Sequence, residues 1–583
     1  MHIALRPKRV PQGRAVFALG VLLLAAGSCR SPAEQRAAAD REVYALIERR
    51  RAELGNREKS FTIEPNPESL RRRLERGEVA ELAPLSLVQC LDIAAENSRD
   101  FQTQRESLYL SALDLTLERY RFRVQETGSL GALLTGDGEG ATDASFDGGL
   151  GFSKLLGTGM AIVGNIGLSM ARDLTRADAF DLVSNASLGI TQPLLAGANP
   201  RIVREPLTQA ERNVVYAARS YERFRRTYAV DVASRVYRIL QQADTVVNEE
   251  NNYNNLQVLR QRNEALAESG RLSAIEVDQA RQDELRSRNR LVQERQRYES
   301  LIDDFKTFLG LPVPIPLSVD PEELARLSAE EPESFDLEAL RLDELALGLR
   351  LDHQTVLDRA DDSARAVEVA ADALRSRLTV SADASMVSQE GKPLEFRNKD
   401  VDWQLGLDLD LALDRFPERN RYREALIRQE SSRREVEESG DTIRVAVRDD
   451  LRDTAATLEG YRIQRLAVEL AERRIEGANL NLEAGRATTR DLLEAQEALL
   501  EARNAATAAL INYQLARLAL FRDLELLRVD ERGIAFEREL LTSAASGGGA
   551  PPGALPAEPS AGQDRGGGDG LPGASTELSE QRP

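Results

Sequence analysis

The sequence predicts a mainly α-helical fold with transmembrane β: long antiparallel coiled-coil helices plus four long strands in each chain. Three observations predict it. The chain repeats itself at an offset of 215 residues, which places Gly270 on Gly485. Each half contains a very long stretch suited to a single helix. Each half also contains segments in which apolar and polar residues alternate.

The composition argues against catalysis and nucleic-acid binding. The 583 residues include two histidines, His2 and His353, and two cysteines, Cys29 and Cys90. This inventory is too small for most zinc sites, nucleophile–histidine pairs or disulfide frameworks. The 96 acidic residues outnumber the 77 basic ones, which disfavours binding to phosphates. We expect no enzyme activity, cofactor, metal site or nucleic-acid partner; a metal held by carboxylates alone is left open, although nothing requires one.

The N-terminus has the composition of an export signal. Four basic residues and no acid accompany an apolar run over residues 15–26, which is too short to span a bilayer. Small residues directly precede Cys29, the order typical of bacterial lipoprotein signals. We interpret residues 1–28 as a lipoprotein signal peptide and Cys29 as its lipidation site. An ordinary cleaved signal with an incidental cysteine is the alternative.

The rest of the chain divides into five segments. Residues 29–84 are interpreted as a polar N-terminal linker, and residues 529–583 as a low-complexity tail rich in Gly, Pro and Ser. Between them lie the first repeat, 85–310, a Pro-rich joint, 311–334, and the second repeat, 335–528.

Each repeat predicts a long helical hairpin. Neither Gly nor Pro occurs from Leu207 to Ser269, and at about 1.5 Å per residue this gives a rod approaching 100 Å. Residues 419–484 form the matching rod of the second repeat. After Gly485, apolar or small residues recur at spacings of three and four, which predicts an antiparallel coiled coil.

Four segments predict strands with one apolar and one wet face. The clearest covers residues 401–413, and the others lie within 378–386, 160–170 and 182–190. A strand of about 9–11 residues suits a membrane barrel, whereas soluble strands are usually about 5–6 residues long. The glycine-rich stretch 128–159 is left unassigned.

Four strands cannot close a barrel, because about eight is the minimum, so the open edges require several copies. Three copies give a trimeric barrel of 12 strands. The wet face would then line a lumen that favours cations. Its acidic residues are Asp383, Asp402, Asp408 and Asp410. A soluble sheet with one solvated face is the alternative.

Motifs in both repeats resemble the TolC-like outer membrane efflux family, in order along residues 84–528. They are Leu85-Ser86-Leu87, Ala94-Ala95-Glu96-Asn97-Ser98, Gln192-Pro193-Leu194-Leu195, Gly485-Arg486-Ala487-Thr488 and Asp491-Leu492-Leu493-Glu494-Ala495-Gln496. The resemblance implies a homotrimer in the bacterial outer membrane, lipid-anchored, with a helical tube in the periplasm. It would be the exit duct of a tripartite efflux or type I secretion system, with a periplasmic adaptor and an inner-membrane pump as partners.

The resemblance also implies two sites at the helical tips. Asp491, Glu494 and Glu276 occupy the positions of an acidic ring that narrows the periplasmic aperture. For Asp491, stabilisation of a helix N-terminus is the alternative. The predicted adaptor contacts are Gly270, Arg271, Leu272, Ser273, Gly485, Arg486, Ala487 and Thr488.

A different class of function is compatible with much of the sequence. A lipoprotein spacer, with coiled coils that bind partners in the periplasm, would need the export signal and the helices but no pore. The long two-faced strands favour the channel, because a spacer has no use for a row of leucines facing lipid.

Overall fold

The computed structural model describes most of the chain between the two terminal segments. The described residues are 31–53, 61–79, 82–136, 142–173, 181–329, 342–389, 392, 395–397, 399, 401–411, 413–484, 486–530 and 533–537. The predicted signal, residues 1–28, and the predicted lipidation site Cys29 lie outside them, as do Gly485 and residues 538–583.

Eleven helices occur among these residues. In chain order they are α1 (Pro32–Glu53), α2 (Leu70–Glu75), α3 (Leu87–Asn97), α4 (Arg99–Arg121), α5 (Pro200–Glu268), α6 (Ala274–Phe308), α7 (Glu322–Ala329), α8 (Leu342–Leu349), α9 (Leu351–Asp372), α10 (Phe416–Glu483) and α11 (Thr489–Asp523). Within the described part of the chain, none of them is both long enough and apolar enough to cross a membrane.

The two halves share one architecture, with a long helix that returns through a shorter one. Helix α5 has 69 residues and α10 has 68, so each is about 100 Å long. Their partners α6 and α11 have 35 residues each. Asn199 begins α5 by accepting a hydrogen bond from the Arg201 N–H (3.0 Å), and a proline lies in the first turn of both long helices.

In the segment predicted to be a polar linker, 29–84, described residues belong to the folded body. Val43 and Ile47 of α1 are almost fully buried in the main core, and so is Phe61. The hydroxyl of Tyr109 on α4 donates to Asp40 on α1 (2.6 Å). The prediction failed because a few apolar residues in a highly charged helix are enough to bury one face.

The tail predicted from residue 529 also begins too early. A short hairpin, β7 (Leu527–Asp530) and β8 (Gly533–Phe536), follows α11 directly. The ring of Phe536 packs on Phe521 at a centroid distance of 4.3 Å, which fixes the hairpin to the core.

Within the described residues, the main sheet has six antiparallel strands in chain order, not four. They are β1 (Gln125–Gly136), β2 (Thr142–Leu155), β3 (Ala161–Asp173), β4 (Asp181–Pro193), β5 (Arg377–Val387) and β6 (Val401–Asp410). Strands β3 to β6 are the four predicted ones. The prediction of four strands per chain, on which the barrel of twelve strands rested, is therefore wrong.

The two additional strands come from the glycine-rich stretch that the sequence pattern left unassigned. Their register is continuous, from Gln125 opposite Ser153 to Gly136 opposite Thr142. Glycines occupy positions on both faces of this hairpin and interrupt the apolar alternation from which strands are recognised. Cross-strand pairing still forms because backbone groups, which glycine retains, make the ladder.

Candidate functional site

The outer face of the sheet is apolar across all six strands. The registers place Leu130 and Leu134 of β1, Leu150 of β2, Ile166 of β3 and Leu188 of β4 on this face. It continues through β5 to Trp403, Leu405, Leu407 and Leu409 of β6. Several of these side chains are about two-thirds exposed in the single chain, including Leu150 (68%), Ile166 (65%) and Leu407 (69%). An exposed apolar surface of this extent indicates contact with lipid or with another protein.

The opposite face is polar and carries all four aspartates predicted to line a lumen. Asp383 of β5 pairs with Gln404, while Asp402 pairs with Ser385, Asp408 with Thr379 and Asp410 with Arg377. The structure therefore brings these carboxylates together on one surface, on two neighbouring strands. They face away from the leucines because successive side chains of a strand alternate between faces.

Glycines on the polar face lie directly opposite longer polar side chains. The cross-strand pairs are Gly151 with Asn165, Gly167 with Asn185, Gly189 with Asp383 and Gly406 with Ser381. A Cβ atom at Gly189 would lie 2.7 Å from Asp383 Oδ1, and one at Gly406 would lie 2.6 Å from Ser381 Oγ. The polar side chains thus lie over the glycines, so they protrude little from the sheet and keep this face polar.

Sequence reasoning missed the polar residues that the additional hairpin contributes to the same face. Asp147 of β2 accepts a hydrogen bond from the hydroxyl of Ser169 on β3 (2.6 Å). Asp143 lies on this face as well, opposite Thr135. The alternation of Phe146 with Asp147 was a usable signal, but the glycines that follow obscured it.

The first helical hairpin turns at Gly270, which has a φ of +74°. The N–H of Arg271 donates to the Leu266 carbonyl (2.9 Å), which closes the end of α5. Ser273 then begins α6 in a capping box: the Ser273 hydroxyl and N–H both donate to Glu276 Oε2, at 2.8 and 3.1 Å. Glu276, predicted for the acidic ring, is thus also a helix-capping residue.

The second hairpin repeats this arrangement at the start of α11. The N–H and the hydroxyl of Thr488 both donate to Asp491 Oδ2 at 2.8 Å, and these hydrogen bonds hold the pKa of Asp491 below its usual value. The structure therefore supports the capping interpretation of Asp491. Glu494, one turn further along, accepts from Arg490 Nε (3.0 Å) and is exposed.

Polar contacts and a small apolar cluster hold the two hairpins side by side. Thr507 donates to Asp244 (2.6 Å), and Asn248 donates to Asn504 (2.9 Å), joining α11 to α5. Closer to the tips, Leu492 packs on α5; its partners in this cluster are Leu256 and Leu259. The tip residues Arg271, Ser273, Arg486 and Thr488 are exposed, and Leu272 and Ala487 are half-buried.

The remaining chemistry of the described residues is sparse. No group of three or more His, Cys, Asp or Glu side chains among them is arranged to hold a metal ion. Cys90 is fully buried, and burial raises the pKa of its thiol to about 12, which makes the reactive thiolate unavailable.

No protein-family model matches the chain, and no curated protein matches it by sequence. Solved structures do. The chain is similar to the outer membrane protein VceC of Vibrio cholerae, with a TM-score of 0.55 and 15% identity over 75% of this chain and 95% of that one. It is similar to the Campylobacter jejuni CmeC outer membrane channel, with a TM-score of 0.56 and 13% identity over 75% and 85% of the two chains.

The Neisseria gonorrhoeae MtrE outer membrane channel gives a TM-score of 0.52 at 13% identity, over 75% of this chain and 88% of that one. At such low identity these likenesses show the fold. That fold is the one of the TolC-like outer membrane efflux family, which the sequence motifs predicted, and the prediction of the family's fold is confirmed.

Proposed function

We propose that this chain forms a homotrimeric outer-membrane channel that serves as the exit duct of a tripartite efflux or type I secretion system. One observation carries the proposal: a six-stranded sheet with a continuous apolar outer face and a polar inner face is joined directly to helical hairpins about 100 Å long. The sheet crosses the membrane, and the hairpins extend into the periplasm. Export is passive, without catalysis or a cofactor.

The distribution of polarity supports a membrane position for the sheet. Its strands have 10 to 14 residues each, enough for the 9–11 residues that a tilted crossing needs. Lipid would cover the apolar face, and water would fill the polar side. Lipidation of Cys29, proposed from the sequence, would add an anchor next to α1.

The helical tips are the proposed contacts with a periplasmic adaptor, which links the duct to an inner-membrane pump. The residues are Gly270, Arg271, Leu272, Ser273, Gly485, Arg486, Ala487 and Thr488. The exposed side chains at the described tip positions support this assignment. Asp491, Glu494 and Glu276 lie beside these turns and would form acidic rings around the threefold axis, in addition to capping their helices where the hydrogen bonds show it.

A periplasmic spacer without a pore is the second candidate, because long hairpins alone are sufficient for it. The exposed apolar face counts against a spacer, because a protein that stays in the periplasm would leave this surface in water. Adjacent residues of the central strand β4 separate the two functions. Leu188 lies on the apolar face, and Ser187 lies on the polar face.

The test compares Leu188→Asp with Ser187→Asp, two variants that place the same carboxylate on opposite faces. We expect Leu188→Asp to lose most of the heat-stable trimer from the outer-membrane fraction, because a charge facing lipid is unfavourable. Ser187→Asp should insert normally and give discrete single-channel steps in planar bilayers. Equal insertion of both variants would contradict the membrane assignment, and native trimers that never conduct would favour the spacer.

A further inference from the structure

We propose that three copies close a barrel of eighteen strands, in which β1 of each copy pairs with β6 of the next. The barrel would be about half as wide again as one of twelve strands and would admit correspondingly bulkier solutes from its open end. This inference rests on the proposed trimeric channel. Beyond that proposal, it specifies how many strands form the barrel, which strand edges join the copies and how wide the barrel is.

The additional hairpin continues both faces of the sheet in register. On the outer face Leu150 of β2 pairs with Ile166 of β3, and Phe146 pairs with Met170. Leu130 of β1 is as exposed as these neighbours, at 68%. Hydrophobic residues would have no reason to align with the lipid-facing row if the hairpin lay in water outside the barrel wall.

The turn between β2 and β3 is fixed against the start of α5, at the level where the other strands meet their helices. The Leu156 N–H donates to the Met160 carbonyl (2.8 Å). Gly159 has a φ of +81°, and a Cβ atom there would lie 2.8 Å from the Gly197 carbonyl oxygen. A Cβ atom at Gly157 would meet the guanidinium of Arg204. The turn therefore packs against the start of α5 and is part of the folded protein, not a detached insertion.

Both edges of the sheet are unpaired in the single chain and need a partner in lipid. Among the described strands, β1 pairs only with β2, and β6 pairs only with β5. Their backbone groups would be unsatisfied in a bilayer, where no water can replace the missing hydrogen bonds. A second copy satisfies both edges with the same interface, repeated around the axis.

The stagger of the strands gives a tilt that is compatible with a closed barrel. The row of paired residues that starts at Gln125, where β1 begins, reaches Gln404 on β6. Gln404 lies six residues before Asp410, where β6 ends and the chain turns toward α10. The stagger is thus six residues over the five steps from β1 to β6. It becomes one residue per strand around the closed barrel when Asp410 pairs with Gln125 of the next copy, the register we propose. When the shear number of a barrel equals its number of strands, the strands tilt by about 36° from the barrel axis, which is within the usual range.

The strand number sets the width. With strands about 4.8 Å apart and a tilt near 36°, eighteen strands enclose a backbone diameter of about 34 Å, whereas twelve enclose about 23 Å. The polar face of the additional hairpin does not fill this space, because it is built mostly from small residues. They include Thr127, Ser129, Gly131, Ser145, Gly149, Gly151 and Ser153.

Cross-linking between copies tests which strand lies at the interface. In a Cys90→Ala background of the full chain, one variant carries Leu130→Cys and Leu407→Cys, and its matched control carries Ile166→Cys and Leu407→Cys. A short bifunctional maleimide should link copies through β1 and β6 in the first variant. It should give no linked copies in the control, where two intervening strands separate the cysteines by about 14 Å.

The opposite pattern, with linkage through β3 and β6 only, would overturn the proposal and leave a twelve-stranded trimer with the hairpin displaced. Linkage from neither pair would overturn the barrel and with it the proposed function. Exclusion of neutral polymers added on the barrel side gives a second measurement. Deleting residues 125–155 should lower the largest polymer that enters by about one third in diameter, and an unchanged limit would contradict the wider barrel.

Discussion

Two positions related by the internal repeat show how one backbone conformation is met by different residues. Gly310 and Glu525 are 215 residues apart, follow α6 and α11, and have φ values of +74° and +60°. At Gly310 only glycine fits, because a Cβ atom would lie 2.2 Å from the Asn97 carbonyl oxygen. Glu525 tolerates the left-handed conformation because Arg223 (3.0 Å) and Arg226 bind its buried carboxylate.

The repeat predicts that both positions end a long helix, but it does not predict the ion pairs. Arg223 lies 302 residues before Glu525 in the chain, and only the packing of α5 against the end of α11 brings them together. Sequence periodicity identifies contacts within a helix or hairpin. It carries no information on which charged side chain of a distant helix reaches a given turn.

A half-buried carboxylate pair makes stability depend on pH. Burial and the nearby carboxylate of Asp523 raise the pKa of Asp450 to about 7, since two carboxylates can share a hydrogen bond only when one is protonated. The folded state therefore binds more protons than the unfolded one between about pH 4 and 7. Stability contributed by this group is full below that window and is lost as pH rises through it.

Asp450→Asn should remove this dependence, because the amide donates a hydrogen bond at every pH. We expect the variant to be more stable than the native protein at pH 8 by about 1–2 kcal/mol, allowing for solvent screening, and nearly equal to it at pH 4.5. Apparent melting temperatures of the detergent-solubilised protein at the two pH values measure the effect. A native stability that rises between pH 5 and 8 by an amount unaffected by the substitution would contradict this account.

At the scale of elements, the sequence predicts the long helices and the strands with strict alternation. It does not predict α1, β1 and β2, where the composition obscures the pattern. The heptad seam after Gly485 and the leucine row of β6 are periodic over many residues. Among the residues of α1 whose side chains the structure describes, only Val43 and Ile47 are fully buried, in a charged segment, so the pattern was too weak to recognise. The sequence pattern does not identify β1 and β2, because glycine has no side chain whose polarity would indicate the face on which it lies.

The start of α11 combines a structural and a proposed gating role, which two substitutions can separate. Asp491 holds the capping box, so its replacement weakens the helix start whatever it does to the pore. Glu494 takes no part in the cap. Glu494→Gln should therefore raise the leak conductance and weaken block by multivalent cations severalfold, without a change in stability.

Glu497→Gln is the matched control for this experiment, because Glu497 lies one turn further along α11, is exposed and forms an ion pair with Arg290 (3.2 Å). It should leave conductance and cation block unchanged. If Glu494→Gln behaves like this control in planar bilayers, the acidic ring is wrong and the carboxylates at the tips serve the helices alone.

At the scale of the whole molecule, charge distribution and pore width together determine ion selectivity. The chain carries a net charge of −19, and four aspartates lie on the polar face of β5 and β6. Across the proposed barrel of eighteen strands, with a backbone diameter of about 34 Å, wall charges act on passing ions only within about one Debye length, which is about 10 Å at 0.1 M salt and 3 Å at 1 M. A wide acidic barrel should thus prefer cations in dilute salt and lose this preference in concentrated salt.

The test replaces four aspartates by asparagine: Asp383, Asp402, Asp408 and Asp410. Under a KCl gradient near 0.1 M, the reversal potential should move substantially toward zero. Near 1 M the reversal potential should change little, because salt already screens the wall charges. Glu126→Gln is the control on the other side of the wall, since Glu126 lies on the outer face of β1, opposite Phe152. Its removal should leave the reversal potential unchanged at both concentrations. Selectivity that survives the fourfold substitution and also persists at 1 M salt would place the selective step at the narrow helical end. The barrel would then act only as a wide, neutral exit.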